Sequence, residues 1–296
     1  MKDLTSTMKK ISFLLLTILL LTACGQVKSE PANEKSKTET KTEKVISLEP
    51  GKTTLDYPIV TTTAQPGDYV LAASKSAFDE AIKNNDDSPI LTFHPAKVLV
   101  AGEAESALED LTGKKFSMPN SLIIPIKKAD LVKKGDIVLT WLQSSSGLIE
   151  RALVLEEGEN PKVRYLDEMY DYEENLLANS FHKLTGELEP GIGVATKDGG
   201  RYYEGTVINI AGDKALISEF AGALRVEDTA NLKVLPLKFD FKVGDTVMAP
   251  VIGAFQKVTV KEIKKEIGQI MGEYEFAGSK SVEPFVLGKI TKEELK

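Results

Sequence analysis

The side chains that most often do covalent chemistry are scarce in this chain: one cysteine, Cys24, and two histidines, His94 and His182. A lone thiol can close no intramolecular disulfide and build no thiolate metal cluster, but it can be acylated. His94 and His182 lie far apart, with no patterned acid or thiol beside His182, so both read as strand positions rather than bases or ligands. Ser144, Ser145 and Ser146 precede Gly147 without the Gly-x-Ser-x-Gly frame that presents a nucleophile, and read as a turn. Gly191-Ile192-Gly193 has no βαβ surroundings and predicts no dinucleotide site. Asp167-Glu-Met-Tyr-Asp-Tyr-Glu-Glu174 gathers carboxylates that could meet a hard cation or a basic partner. Its spacing does not match an EF-hand loop and it lacks the turn glycine, so a solvated acidic loop is the default. No catalytic residue, metal ligand set or cofactor is expected. The competing reading is a hydrolase of envelope polymers using Asp167 and Glu168, against which stands the need for a cleft that small β units seldom supply.

The N-terminus gives Cys24 its context. Lys9-Lys10 precedes the apolar run Ile11–Leu21, which ends in Thr22-Ala23-Cys24. This run is too short for a bilayer, which needs about 20 residues, and reads as an export signal cleaved after residue 23. Leu21-Thr22-Ala23-Cys24 resembles the bacterial lipobox. The resemblance implies a diacylglycerol on the Cys24 sulfur, cleavage before it, and acylation of the new amino group. Two or three chains anchor stably where one would not. Position 25 is Gly, not the Asp of the common inner-membrane retention signal, so a cell membrane or an outer membrane is expected, with the body facing periplasm or exterior. Residues 24–44 carry almost no large apolar side chains and read as a disordered, lipidated tether.

Beyond residue 44 the chain must be held together by burial alone. Hydrophobic residues make up 42% and charged ones 27%, ordinary for a globular body. Net charge is −7; loss of Lys2, Asp3, Lys9 and Lys10 with the signal takes the mature chain to about −9. With the basic pairs scattered among acids, that balance argues against a nucleic-acid partner.

Three patterns recur in the same order. The first is Pro66-Gly-Asp-Tyr-Val70, Lys134-Gly-Asp-Ile-Val138, Pro190-Gly-Ile-Gly-Val194 and Val243-Gly-Asp-Thr-Val247, a glycine turn launching a strand. The second runs from a large apolar residue through a small one to valine: Phe93–Val98, Ile149–Val154, Tyr202–Val207 and Phe255–Val260. In the first copy the gap between the two patterns is long, and Lys83–Ser88 reads as a surface insertion. The third closes a strand at Leu108–Gly113, Ile217–Gly222 and Tyr274–Gly278, with Glu-Phe-Ala-Gly identical at 219–222 and 275–278. Short apolar strands at 121–126, 179–184, 231–235 and 284–288 would end each copy. Ser76–Ile82 could make a helical turn or two, Ala104–Asp110 could be turn or strand, and Ile290–Leu295 could be a C-terminal turn.

The ordered set resembles tandem Tudor-like repeats of the SH3-like barrel group, across roughly residues 65–290. The resemblance implies an all-β chain of four small closed barrels, each sealing its own interior: 65–127, 128–189, 190–236 and 237–296, after a lead-in segment at 45–64. In Tudor domains that read methylated side chains, aromatics at the start of strand two and the end of strand three wall a cage. Carried over, those are Tyr202 with Phe220 and Phe255 with Phe276. Lys197-Asp198 and Ile252-Gly253 stand where a third wall belongs, which favours rings that fill cores or seams. The expected function is a membrane-anchored, non-catalytic module that binds or scaffolds an unidentified protein or peptide, with a passive spacer as alternative. Its contact face would carry Trp141, Tyr170, Tyr172, Tyr202, Phe220, Phe255 and Phe276.

Overall fold

The computed structural model describes residues 49–127, 131–144, 148–166 and 172–295. Cys24, the expected signal and tether, and Asp167, Glu168 and Tyr170 of the acidic run lie outside the described residues. The body is β-rich and antiparallel.

Its strands fall into four groups. Unit one holds β1 (Tyr69–Ala73), α1 (Lys75–Asn84), β2 (Phe93–Val100), β3 (Glu105–Asp110), β4 (Lys115–Pro119) and β5 (Ile123–Pro125). Unit two holds β6 (Ile137–Trp141), β7 (Ile149–Glu156), β8 (Lys162–Tyr165), β9 (Glu173–Asn175) and β10 (His182–Lys183). In unit three come β11 (Gly193–Asp198), β12 (Arg201–Ala211), β13 (Lys214–Glu219), β14 (Leu224–Asp228) and β15 (Lys233–Val234). Unit four has β16 (Thr246–Val251), β17 (Ala254–Lys264), β18 (Gln269–Phe276) and β19 (Ser279–Val286). Each is a four-stranded meander whose first strand takes a further partner on its outer side: β5, β10, β15 or, in unit four, the single bridge Met248↔Thr291.

The recurring residues explain why the meanders match. Gly67, Gly135, Gly191 and Gly244 all take φ near +90°, a backbone region that side chains disfavour. Each donates its N–H to the carbonyl of the second pattern's valine: Val98, Val154, Val207 and Val260, at 2.7–2.9 Å. Asp68, Asp136 and Asp245 then accept from the backbone three residues back, closing the turn. In unit three Ile192 replaces the aspartate because that turn is packed inside, with Gly191 against Leu139. Past each valine the ladder skips one residue, a β-bulge between Val98 and Val100, Val154 and Glu156, Val207 and Asn209, and Val260 and Glu262. A bulge bends the long second strand so that its two halves can serve different faces.

Three sequence expectations need correction. Among the described residues no unit is a barrel closed by hydrogen bonds: β4 and β5, or β9 and β10, remain the two ends of an open sheet. Units three and four are joined into one nine-stranded sheet through Tyr203↔Ala254 and a 2.8 Å bond from Glu204 N–H to the Gly253 carbonyl. Nor does each unit seal a private interior. One hydrophobic cluster runs through units one, two and three and includes Leu287 of unit four, while smaller ones lie in units two and four and across Tyr202 and Phe255. The physical reason is that strand edges need cover, and here neighbours supply it in place of closure. Ile90 of unit one bridges Ala223 of unit three, flanked by Leu91 N–H to Gly222 O and Leu224 N–H to Pro89 O. All five residues of β6 are buried: Val138 faces its own unit, and Ile137, Leu139 and Trp141 face the shared cluster.

Local details also differ. The helical turn expected at Ser76–Ile82 is the longer ten-residue helix α1, which buries Phe78 and Ala81 and ends at Asn85 in the left-handed conformation, while the expected surface insertion Lys83–Ser88 is exposed throughout. Ala104–Asp110 resolves in favour of a strand, β3. Pro284–Val286 extends β19 rather than forming a closing strand, and that role passes to Thr291. The lead-in packs against unit one. Buried Asn120 donates to the carbonyls of Val60, Gly102 and Glu103 and accepts from Ser106, so one amide ties three loops.

The junction of units two and three makes one pH-dependent contribution. His182 Nε2 lies 3.1 Å from Glu189 Oε2, and the Thr185 hydroxyl donates to Glu189 Oε1 at 2.7 Å. Burial opposes ionisation of Glu189, but hydrogen bonds from His182 and from Thr185 outweigh it and hold the carboxyl below the usual range. A carboxyl held low when folded takes up its proton more readily when unfolded. It therefore stabilises the fold above the unfolded value, about 4.3, and that stabilisation is lost as pH falls through the folded value. Glu189→Gln should cost roughly 1–2 kcal/mol at pH 7. In paired urea titrations the gap between variant and parent should close below about pH 4; a gap independent of pH would refute this role.

Candidate binding groove

The sequence-selected aromatics separate by depth. Trp141 is 1% exposed, its ring 5.2 Å from that of Tyr69 of unit one and tilted to it by 49°; its carbonyl accepts the Tyr165 hydroxyl at 2.8 Å. Tyr165 is itself buried beside Glu174, and both burial and that carboxylate push its phenol above the ordinary range. Tyr172 is partly exposed and leans on Tyr165 at 6.1 Å. Tyr202 and Phe255 are buried together in the cluster spanning units three and four. So Trp141, Tyr202 and Phe255 offer no contact surface, and neither sequence-selected pair, Tyr202 with Phe220 or Phe255 with Phe276, places two exposed rings together.

Phe220 and Phe276 are different: 57% and 51% exposed. Both belong to the Glu-Phe-Ala-Gly sequence at the ends of β13 and β18. There Ala221-Gly222 and Ala277-Gly278 all have positive φ, so the chain reverses and the phenylalanine is left at the rim. Phe220 rests against the β16–β17 turn, where a Cβ on Gly253 would lie 2.7 Å from its ring; Gly253, at φ +78°, is required there twice over. Ile252 of the same turn is exposed.

Around these rims lie two adjoining depressions. The larger, about 450 Å³, is walled by Ile252, Tyr274, Phe276 and Phe285, with Glu283 among them. Tyr274 and Phe285 meet edge-on at 5.9 Å, and burial together with the neighbouring Glu283 carboxylate pushes the Tyr274 phenol above its ordinary range. The second, about 350 Å³, has Leu148, Ile149 and Phe220 along it and Glu150, Arg151 and Glu219 below. Glu204 and Lys289 border both and are 2.7 Å apart, an ion pair set where the depressions meet. Arg151, 4% exposed, reaches from unit two to donate to the Gly288 carbonyl at 2.9 Å and fixes the floor between units two, three and four.

The arrangement can hold an extended apolar ligand, with aromatic walls, exposed rims and a few polar groups. Among the described residues no group of three or more His, Cys, Asp or Glu is spaced to hold a metal ion. Sequence reasoning singled out Phe220 and Phe276 but missed Glu283, Phe285, Glu204 and Lys289. Only the position of Glu204 inside the second recurring pattern could have pointed to it. No known family model matches the chain, and no curated protein matches it.

Proposed function

We propose that this chain is an exported lipoprotein, anchored by lipid on Cys24 in a cell membrane or outer membrane and facing the periplasm or exterior. Its body, on this reading, is four SH3/Tudor-like units acting as a non-catalytic binding module for a protein or peptide. The lipid anchor is supported by the Lys9-Lys10, Ile11–Leu21 and Cys24 sequence. The unit type is supported by the shared strand order and the four equivalent glycine turns. The observation that carries the binding reading is the pair of exposed rings, Phe220 and Phe276, at the rims of adjoining grooves. Exposed aromatic rings beside a groove are the kind of side chain that anchors a partner at a contact surface.

Cys24→Ala should move the protein from the membrane to the soluble fraction and abolish incorporation of an alkynyl palmitate label. Retention of both membrane association and label would refute the anchor. Phe220→Ala with Phe276→Ala should lose the partner cross-linked to the parent in intact cells while keeping the parent's melting temperature. An unchanged cross-link pattern would refute the binding reading.

A further inference from the structure

Resting on the binding reading above, the geometry points to a specific occupant: an extended peptide segment with a Lys or Arg seated on Glu283 and a neighbouring large apolar side chain against Phe220. Charge selects the first of these side chains. Glu283 neighbours Tyr274 and makes no ion pair among the described residues, although it lines an aromatic-walled depression. The carboxylates bordering the two depressions are Glu150, Glu204, Glu219 and Glu283; the cations are Arg151 and Lys289. Lys289 is already committed to Glu204, Arg151 to the Gly288 carbonyl, and Glu219 to Arg225 at 3.1 Å. The groove is therefore net acidic, with the unbalanced carboxylate at its more aromatic end.

A long basic side chain matches that end in both of its parts. Its methylene stem can lie along Phe276 and Phe285 while its charged head meets the carboxylate. The ring faces add a favourable field for the same cation. A free amine or small cation would use the carboxylate but leave the second depression empty. That depression continues past the Glu204–Lys289 pair to Leu148 and Phe220, an apolar seat partly open to solvent. One segment reaching both seats gains from each with a single loss of translational freedom. An acidic segment would instead meet an excess of like charge, which discriminates against it.

The test is selection of a random heptapeptide display library on the full chain in detergent, followed by titration of the enriched peptides. Enrichment of Lys or Arg together with Leu, Phe or another large apolar residue is expected. Glu283→Gln should weaken the best peptide by about two- to fivefold and flatten its salt dependence, because an ion pair at an exposed carboxylate is being removed. Phe220→Ala should weaken it by a similar factor, with melting temperatures of both variants matching the parent. Enriched peptides that need Phe220 and Phe276 but carry no basic residue would overturn this occupant and leave the binding reading standing. Binding unaffected by Glu283→Gln would overturn it equally. Failure to enrich any peptide would overturn both.

Discussion

Gly193→Ala is expected to destabilise the body by about 3 kcal/mol, the sum of overpacking and a weakened charge-assisted hydrogen bond. The position lies inside β11, paired with Thr206, and its backbone has no positive φ to demand glycine. What demands it is space. A Cβ there would stand 2.5 Å from the Gly288 carbonyl oxygen, 2.6 Å from Arg151 Nη1 and 3.4 Å from Leu235. The first is backbone in a turn held by Gly288 at φ +81°, so it cannot step aside as a flexible side chain would. The methyl group must therefore push apart the contact through which units two and four meet over unit three. Arg151→Met keeps the stem but strips the guanidinium, leaving the Gly288 carbonyl without that donor, and should cost roughly 1.5–3 kcal/mol. Since both changes disturb one contact, the double variant should fall short of the sum by about 0.5 kcal/mol or more, as coupled neighbours do. Urea denaturation of the four proteins of this cycle measures it. A Gly193→Ala cost below about 0.5 kcal/mol, the range of a neutral surface change, would refute the crowded junction.

Much of the repeated architecture could be read from sequence because it is local. A glycine, followed by an aspartate in three of the four units, and a valine later down the chain specify a turn, a strand pair and a bulge within a few dozen residues, and the glycine-to-valine bond recurs four times. What escaped was the choice of neighbours. Ile137, Val138, Leu139 and Trp141 are all apolar or aromatic, and nothing in their order says which face seals unit two and which joins unit one. The aromatic face failed for the same reason. Tyr202 and Phe255 open equivalent strands, and each is long enough to cross into the other's unit, so they bury one another. Phe220 and Phe276 stayed outside because they precede positive-φ turns, a feature the identical Glu-Phe-Ala-Gly sequence did announce. Glu283 was illegible: its meaning lies in Tyr274 across the β18–β19 hairpin and in the lack of a cation paired to it among the described residues, neither of which spacing encodes.

Trp141→Ala should lower the midpoint of thermal unfolding by on the order of 10 °C, from a loss of about 3–5 kcal/mol at a site that cannot collapse around the void. The indole is fully enclosed, it contacts Tyr69 across the seam between units one and two, and it lies in the cluster shared by units one, two and three. The shape of the transition decides more than its position. In a string of independently sealed units, damage to unit two would split off an early transition and leave the others melting where they did. With one cluster threading three units, and Arg151 and the β12–β17 pair holding the fourth, the whole endotherm should move together and keep equal calorimetric and van't Hoff enthalpies. Differential scanning calorimetry of the full chain distinguishes the two, and a second endotherm at the parent's midpoint would refute the shared core. The same cooperativity governs the groove. Its walls come from units two, three and four, so no single unit can present it, and a substitution at the distant Trp141 seam should reduce the temperature up to which ligand is held by as much as it reduces the melting point.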